Sequence, residues 1–272
     1  MTRPFQDEVG ALGEMMKPTL LTALALAVTT GLLGCAGAPQ MSWSRVGDSA
    51  QRAAVSPDVW APVAGAAVIA AGNWDHKWQR SASDHDWFFG GDANQAADRM
   101  LNLATGLSVA TALVAAPKEA DTEEKWSWRG RNLALLAADR YAVTGFVEEA
   151  KEWSGRERPD GVPDDSFPSK HTAVTAVHTS FTRRNLDYID MDPTLRYTAK
   201  AGLYTLDGLT ALARVEGDKH YPTDVLVGMA VGNFFANFTY NLFLEGPERD
   251  RYNLTVVPET GGGMSLRAAM LF

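Results

Sequence analysis

Apolar residues recur at helical spacing through most of the chain after residue 57. In residues 92–116 an Asp begins the stretch and apolar residues follow at intervals of three and four, which indicates an amphipathic helix. The same pattern predicts six helices, over residues 58–73, 92–116, 127–153, 169–184, 193–214 and 222–244. No pattern of a parallel sheet is present, so we predict an all-α fold, a six-helix bundle over residues 57–246.

The last predicted helix raises the question of a membrane span. Residues 225–244 carry no charged side chain, and a span needs ~20 apolar residues. Asn233, Asn237 and Asn241, however, are spaced four residues apart and therefore form one polar stripe. Such a stripe suits a packed face better than a lipid-exposed face. We therefore predict a bundle that is tethered to a membrane rather than one that crosses it several times.

The C-terminal residues change to a period of two. From Met264 to Phe272 large apolar positions alternate along the chain, and Gly261 to Gly263 precede them as a turn. This pattern predicts a short β-hairpin tail over residues 252–272.

The N-terminus has the order of a secretory signal. Lys17 is followed by residues 18–34, which carry no charge, and this order is typical of a signal segment. The stretch ends in LLGC and resembles a bacterial lipoprotein signal, in which the Cys becomes lipidated. We predict a signal segment over 1–34, with 1–15 as an upstream extension, and a lipidated tether over 35–56 that begins at Cys35. An ordinary cleaved signal and a buried N-terminal helix are the alternatives.

The resemblance to lipoproteins also predicts a location. In lipoproteins of this type, Asp after the lipidated Cys favours retention in the inner membrane, whereas Ala36 follows Cys35 here. We therefore expect an outer-membrane lipoprotein in the envelope of a Gram-negative bacterium, facing the periplasm and held to the membrane through its lipid anchor.

Composition narrows the classes of partner. The chain has 272 residues, a net charge of −8 and one cysteine. A lone cysteine excludes an internal disulfide. An acidic chain is not typical of nucleic-acid binding, which needs clustered Lys and Arg. Nothing in the sequence indicates an oligomeric state.

Three short segments collect basic, imidazole and carboxylate groups. They are KEWSGRERP with Lys151 and Arg158, FPSKHT with Ser169 and His171, and RVEGDKHYPTD with Arg214, His220 and Asp224. Each segment alone has an ordinary structural explanation, such as a surface lysine or a histidine in a first helical turn. That explanation would have to hold three times in one chain, which favours a shared site.

Phosphoryl transfer uses these residue types. The transferring group spreads negative charge over its oxygens and needs fixed cations, and a hydroxyl and the N–H groups of a helix start add donors. One imidazole can attack phosphorus if a partner orients its other nitrogen, and a second can protonate the leaving oxygen. Asp224 follows His220 by four residues, which is near enough to orient that ring.

The spacing of the three segments resembles a known family. K-x6-R-P from Lys151, P-S-x-H from Pro168 and R-x5-H-x3-D from Arg214 are similar to the motifs of the type 2 phosphatidic acid phosphatase superfamily, over roughly residues 58–245. The resemblance implies a six-helix core, a site without metal or cofactor, and a phosphohistidine intermediate. It further implies catalytic roles for His220 as nucleophile, Asp224 as its orienting partner and His171 as general acid, with phosphate held by Lys151, Arg158, Ser169 and Arg214.

Two positions depart from the family pattern. Lys170 stands where the family has Gly, and Ala213 stands where it has Ser. The Lys170 ammonium is a further candidate phosphate-binding group, for a second phosphate or an anionic headgroup. Neither change removes a reacting group, so both bear on substrate choice and rate more than on the class of reaction.

The resulting hypothesis is a metal-independent phosphatase acting on a phosphomonoester or pyrophosphate group, of a membrane lipid or a small phosphate ester. A vanadate-dependent haloperoxidase is an alternative within the fold, although those enzymes tend to be longer. A non-catalytic envelope lipoprotein is the alternative from another class. Residues 75–87, with His76 and His85 among aspartates, are interpreted as a solvated acidic loop rather than a metal site.

Overall fold

Helices dominate the part of the chain that the computed structural model describes, which is residues 42–245 and the backbone of residues 252–258 and 264–270. The predicted signal segment and Cys35 lie outside it. The helices within residues 42–245 are α1 (Trp43–Ala54), α2 (Pro57–Ala71), α3 (Asp75–Asp84), α4 (Ala93–Val114), α5 (Thr122–Ser154), α6 (Lys170–Asn185), α7 (Pro193–Glu216) and α8 (Pro222–Phe243). The all-α prediction is confirmed, and each of the six predicted helices has a counterpart.

The longest helix, α5, begins earlier than the apolar pattern predicted. Asp121 accepts a hydrogen bond from the Glu124 N–H at 2.9 Å, and the Glu124 carboxylate accepts one from the Asp121 N–H at 3.3 Å. This reciprocal cap fixes the start of the helix, although its charged first turn has no apolar period. α5 ends at Gly155, whose φ of 55° is left-handed, and this stop leaves Lys151 in the last turn.

Residues 43–54 form α1, so the prediction of a tether over 35–56 is wrong from Trp43 onward. Arg45 donates to the carbonyl oxygens of Leu242 and Glu245, each at 2.9 Å, and Ser49 and Ala53 are buried. The polar composition suggested a tether. A helix with a polar outer face can nevertheless dock through a few small side chains, and composition alone does not reveal this.

Residues 75–84 form α3, so the interpretation of 75–87 as a loop is also wrong for that range. The Asp75 carboxylate accepts from the Thr223 N–H at 2.9 Å, and Ser83 donates to Asp218 at 2.8 Å. Asp75 therefore joins α3 to the first turn of α8, and Asp218 joins the segment before α8 to α3. Among residues 42–245 no group of three or more His, Cys, Asp or Glu side chains could hold a metal ion.

The core is built around α6, whose residues are almost all buried. The Phe181 ring packs edge-on against Tyr240 of α8, with centroids 5.6 Å apart. α6 and α8 approach closely because α8 carries glycine at two contact points: a Cβ at Gly228 would collide with the Ser169 carbonyl oxygen, and one at Gly232 with that of Ala173. Because these two positions lack a side chain, the first turn of α6, which follows Pro168 and Ser169 of the P-S-x-H motif, can pack directly against α8.

The predicted polar stripe of α8 packs inside the protein. Asn233 donates to the Asp58 carbonyl oxygen at 2.9 Å, Asn237 donates to the Asp58 carboxylate at 3.1 Å, and Asn241 donates to the Ser49 carbonyl oxygen at 3.4 Å. The stripe thus holds α1 and α2 against α8. Within residues 42–245 no single helix has the length and apolarity of a bilayer span, and α1 and α2 reach that measure only as a pair bent by 52°.

The C-terminal residues form the predicted hairpin. Strands β1 (Tyr252–Pro258) and β2 (Met264–Met270) pair antiparallel, with Tyr252 opposite Met270 and Pro258 opposite Met264. The period of two in the sequence therefore identified this element correctly.

Candidate active site

The segment between α5 and α6 brings the first two motifs to the start of α8. Within it the Arg158 N–H donates to the Val162 carbonyl oxygen at 2.9 Å, and the Ser166 N–H donates to that of Arg156 at 3.0 Å. At its end the Ser169 N–H donates to the Asp224 carbonyl oxygen at 3.0 Å. This last bond joins the first turn of α6 to the first turn of α8, so the P-S-x-H and H-x3-D motifs become neighbours.

The ring of His220 is held by this segment. Its side chain is only 1% exposed, and Nδ1 lies 2.7 Å from the Ser166 carbonyl oxygen. A carbonyl oxygen only accepts, so Nδ1 carries the proton and the lone pair of the neutral ring is on Nε2. The second nitrogen of His220 is therefore the one that can act as a nucleophile.

Asp224, the predicted orienting partner of His220, makes no direct hydrogen bond to that ring and is linked to it through Ser166. Asp224 Oδ2 is 3.9 Å from His220 Nδ1. It accepts instead from Ser166 Oγ at 2.6 Å and from the Tyr221 N–H at 2.8 Å. Asp224 thus fixes Ser166, and the Ser166 carbonyl fixes the imidazole. The spacing of four residues between His220 and Asp224 suggested that the two are in contact. It could not show that Ser166, from the loop before α6, lies between them.

Arg156 is a further part of this arrangement that the sequence analysis missed. Its guanidinium donates to Asp224 at 2.6 Å, to Thr223 Oγ1 at 2.9 Å and to Asp75 at 2.9 Å. The same group lies 4.2 Å from the centre of the Tyr221 ring. The positive charge of Arg156 therefore compensates the negative charge of the buried Asp224 carboxylate. Burial raises the pKa of Asp224, and the charge of Arg156 lowers it in part. Arg156 lies between Lys151 and Arg158 in the sequence, and only its contacts in the folded protein distinguish it from the other charged residues of that segment.

His171 lies in the first turn of α6 and is a quarter exposed. Its Nε2 is 2.9 Å from Asp98 Oδ1 on α4, and a carboxylate oxygen accepts, so Nε2 carries a proton and Nδ1 is left for a substrate. Burial lowers the pKa of His171, as do the charges of Arg214 and Lys170, while the hydrogen bond to Asp98 raises it. Asp98 was not predicted, because nothing in its own helix marks it.

Arg214 acts on both imidazoles. It is 5% exposed and donates to Asn94 Oδ1 at 3.0 Å. Burial lowers its pKa to about 10. Burial also lowers the pKa of His220 well below its ordinary value, and the charges of Arg214 and then Arg158 lower it further, so that His220 is neutral at neutral pH. The charge of the same guanidinium also lowers the pKa of His171, so Arg214 acts electrostatically on both rings.

The other two predicted cations converge on one carboxylate. Lys151 Nζ is 2.5 Å from Asp165 Oδ1, and an Arg158 nitrogen is 2.6 Å from Asp165 Oδ2. The Lys151 side chain is only 4% exposed although it is charged. The sequence analysis predicted that Lys151 and Arg158 lie close together, and they do. Nothing in the sequence indicated that Asp165 lies between them.

Two buried donors of the predicted site have no hydrogen-bond partner among the described residues. They are Ser169 Oγ and Arg214 Nε. A buried donor without an acceptor is destabilising by about 1–3 kcal/mol, and an anion is one way to satisfy it. Ser169 precedes the first turn of α6, where the free N–H groups of the helix also favour an anion.

The two departures from the family pattern have different surroundings. Lys170 is 43% exposed, and its ammonium is 2.7 Å from Glu148, whose carboxylate is 3.8 Å from Lys151 Nζ. Lys170 therefore lies at the rim of the candidate site rather than among the buried groups that are predicted to bind phosphate. Ala213 is fully buried, beside Arg214.

Two comparisons with known proteins find related sequences. Residues 122–246 match the model of the PAP2 superfamily. A protein of Porphyromonas gingivalis named lipid A 1-phosphatase is 33% identical over 132 residues. The match covers 47% of this chain and 28% of that relative, so the chain aligns with less than a third of its length. No solved structure matches the chain.

Proposed function

We propose, from the match of residues 122–246 to the PAP2 superfamily model, that the chain is a metal-independent phosphatase of that superfamily that works through a phosphohistidine. The observation that carries the proposal is the His220 ring. Its Nδ1 is held by the Ser166 carbonyl, its Nε2 carries the lone pair, and its lowered pKa keeps the ring neutral. A neutral, fixed imidazole beside a buried arginine is suited to attack a phosphoryl group.

In the first proposed step, the lone pair of His220 Nε2 attacks phosphorus and the bond to the leaving oxygen breaks. The leaving oxygen takes a proton from His171 Nδ1. The negative charge of a bound phosphate offsets the positive charges that lower the pKa of His171 and so favours the protonated ring. Asp98 accepts from the other nitrogen and stabilises that form.

In the second step, His171 takes a proton from water while the water oxygen attacks phosphorus. The bond from phosphorus to Nε2 breaks, its electron pair returns to His220, and inorganic phosphate leaves. Throughout, the substrate phosphate is held by Lys151, Arg158, Ser169 and Arg214. Ser169 Oγ and Arg214 Nε, which are buried without a protein partner among the described residues, are satisfied by phosphate oxygens.

The proposed substrate is a phosphomonoester or pyrophosphate group of a membrane lipid. Support comes from the relative named lipid A 1-phosphatase. Lys170 adds a positive charge at the rim of the site, where a second anionic group of a lipid headgroup would reach it. A small phosphate ester is the alternative substrate.

The first test is phosphate release by the purified full chain in the presence of EDTA. We expect release from an aryl phosphate and from at least one of phosphatidate, phosphatidylglycerophosphate, isoprenyl pyrophosphate and lipid A. Bromide oxidation that appears only with vanadate would instead support a haloperoxidase. If neither activity is found on any of these substrates, a non-catalytic binding protein is favoured. Activity that EDTA abolishes and added metal restores would contradict the metal-independent mechanism.

We further propose that the protein is an outer-membrane lipoprotein anchored through Cys35, a prediction that rests on the N-terminal sequence and Ala36. Cys35→Ser is expected to release the protein from the membrane fraction or to block its processing, since no lipid can be attached. The measurement is fractionation after a salt wash, with processing followed by mass spectrometry. A variant that is processed normally and stays bound would show that the lipid anchor is not what holds the protein.

A further inference from the structure

Two of the cations proposed to bind phosphate are already paired with a carboxylate of the chain itself. Asp165 Oδ1 is bound by Lys151, and Asp165 Oδ2 by Arg158. Arg158 also donates from Nε to the Asp165 carbonyl oxygen at 2.9 Å. Each carboxylate oxygen therefore meets one cation, which is the arrangement that two oxygens of a phosphate group would have.

We propose that Asp165 is an internal competitor for the phosphate site, which a substrate phosphate must displace and which thereby sets the affinity and the charge selectivity of the site. The inference rests on the proposed function, because it needs Lys151 and Arg158 to bind phosphate. A monoanionic or diester group gains little by replacing a carboxylate of equal charge. A dianionic phosphomonoester, or the terminal phosphate of a diphosphate, interacts more strongly with the same two cations and replaces it.

The surroundings of Asp165 allow this exchange. Its side chain is 32% exposed, whereas that of Lys151 is 4% exposed, so the carboxylate has solvent on one side and the lysine does not. When Asp165 moves out, Glu148 at 3.8 Å is the one ion-pair partner that the buried lysine keeps among residues 42–245, and the lysine needs a new counter-ion. When inorganic phosphate leaves as product, the Asp165 carboxylate is again available to both cations. Asp165 therefore weakens the binding of product as well as of substrate.

The test is the affinity for inorganic phosphate of Asp165→Asn in the otherwise unchanged full chain. Asparagine keeps the size of the side chain and removes its charge, so phosphate no longer competes with an anion. We expect the Kd for phosphate, measured by calorimetry at constant ionic strength, to fall about tenfold, the scale of one charge-assisted hydrogen bond. An unchanged or weaker affinity in a folded variant would overturn the proposal, because Asp165 would then be a support for the cations.

Asp164→Asn is the matched control. Asp164 is exposed and precedes Asp165, and its φ of 54° is one that Asn tolerates. The control removes the same charge from the same loop without touching Lys151 or Arg158, so it is expected to leave the Kd within about twofold of the original, as for a screened surface charge. If both variants tighten phosphate equally, general electrostatics explains the effect and the proposal fails.

A crystal structure of the unaltered protein with orthovanadate provides a second measurement that does not depend on the folding of a variant. Displacement of the Asp165 carboxylate from Lys151 and Arg158 is expected, and an anion bound beside an intact pair would contradict the proposal. The two proposals fail separately. If the protein is a phosphatase but Asp165→Asn does not bind phosphate more tightly, only the competitor proposal is excluded. If Asp165→Asn binds phosphate more tightly but the unaltered protein hydrolyses none of the substrates, only the proposed function is excluded.

Discussion

Replacing His220 by alanine is expected to abolish phosphate release and to leave no covalent phosphate on the protein. The ring is the proposed nucleophile, and its Nδ1 is fixed by the Ser166 carbonyl, which leaves Nε2 for the reaction. Loss of a nucleophile lowers kcat by roughly 10⁴-fold or more. The measurement is turnover of an aryl phosphate, together with trapping of acid-labile phosphate on the protein after rapid mixing with substrate.

Because His220 is buried, a second variant separates chemistry from folding. His220→Asn keeps an N–H group that can donate to the Ser166 carbonyl but has no nucleophilic nitrogen, so it is expected to fold normally and remain inactive. His85→Ala is the control, since His85 follows α3 directly, is exposed, and places its Nδ1 3.0 Å from the Ser81 carbonyl oxygen of that helix. Full activity or trapped phosphohistidine in His220→Asn would exclude His220 as the nucleophile.

Loss of His171 is expected to affect substrates unequally. As general acid, His171 protonates the leaving oxygen, and an alkoxide needs that proton far more than an aryl oxide does. General acid catalysis contributes ~10²–10⁴-fold, so His171→Ala should slow an alkyl phosphate by about this factor and an aryl phosphate much less. The measurement is kcat/KM for a series of phosphate esters that differ in the pKa of the leaving alcohol or phenol.

Asp98→Asn is the companion to this experiment. Asp98 contacts Nε2 of His171, the nitrogen opposite the one proposed to protonate the leaving oxygen, so its proposed role is to position that ring. Its loss should give the same dependence on the leaving group as His171→Ala, with a smaller amplitude. If His171→Ala slows all esters by one common factor, the ring binds phosphate and does not act as an acid.

The sequence was sufficient for those parts of the protein that depend on local periodicity. Six helices and the C-terminal hairpin follow from the spacing of apolar residues, because a helix or strand must present one face to its neighbours. The asparagine stripe of α8 was correctly predicted to be packed, since amides at Asn233, Asn237 and Asn241 need partners. His220, His171 and Arg214 could be proposed as site residues from the sequence, because the spacing within each motif is a property of a single segment.

Local pattern failed where an element depends on partners distant in the sequence. α1 and α3 have polar sequences and bury few side chains, so their low content of apolar residues, rather than the absence of a helical period, kept them from being predicted. They are held by contacts such as Arg45 to Leu242 and Asp75 to Thr223, which join residues about 150 or more positions apart. Such contacts exist only after the bundle has formed.

Only the tertiary structure shows which residues of the candidate site contact one another. Spacing suggested that Asp224 touches His220, but the folded loop inserts Ser166 between them. Asp98, Arg156 and Asp165 belong to the site because helix packing and the loop before α6 bring their charges against His171, Asp224 and the two cations. The sequence contains many charged side chains of each type and does not show which of them are close in space. The interaction energy of two charges depends on their distance in three dimensions, so the partners become known only from the folded structure.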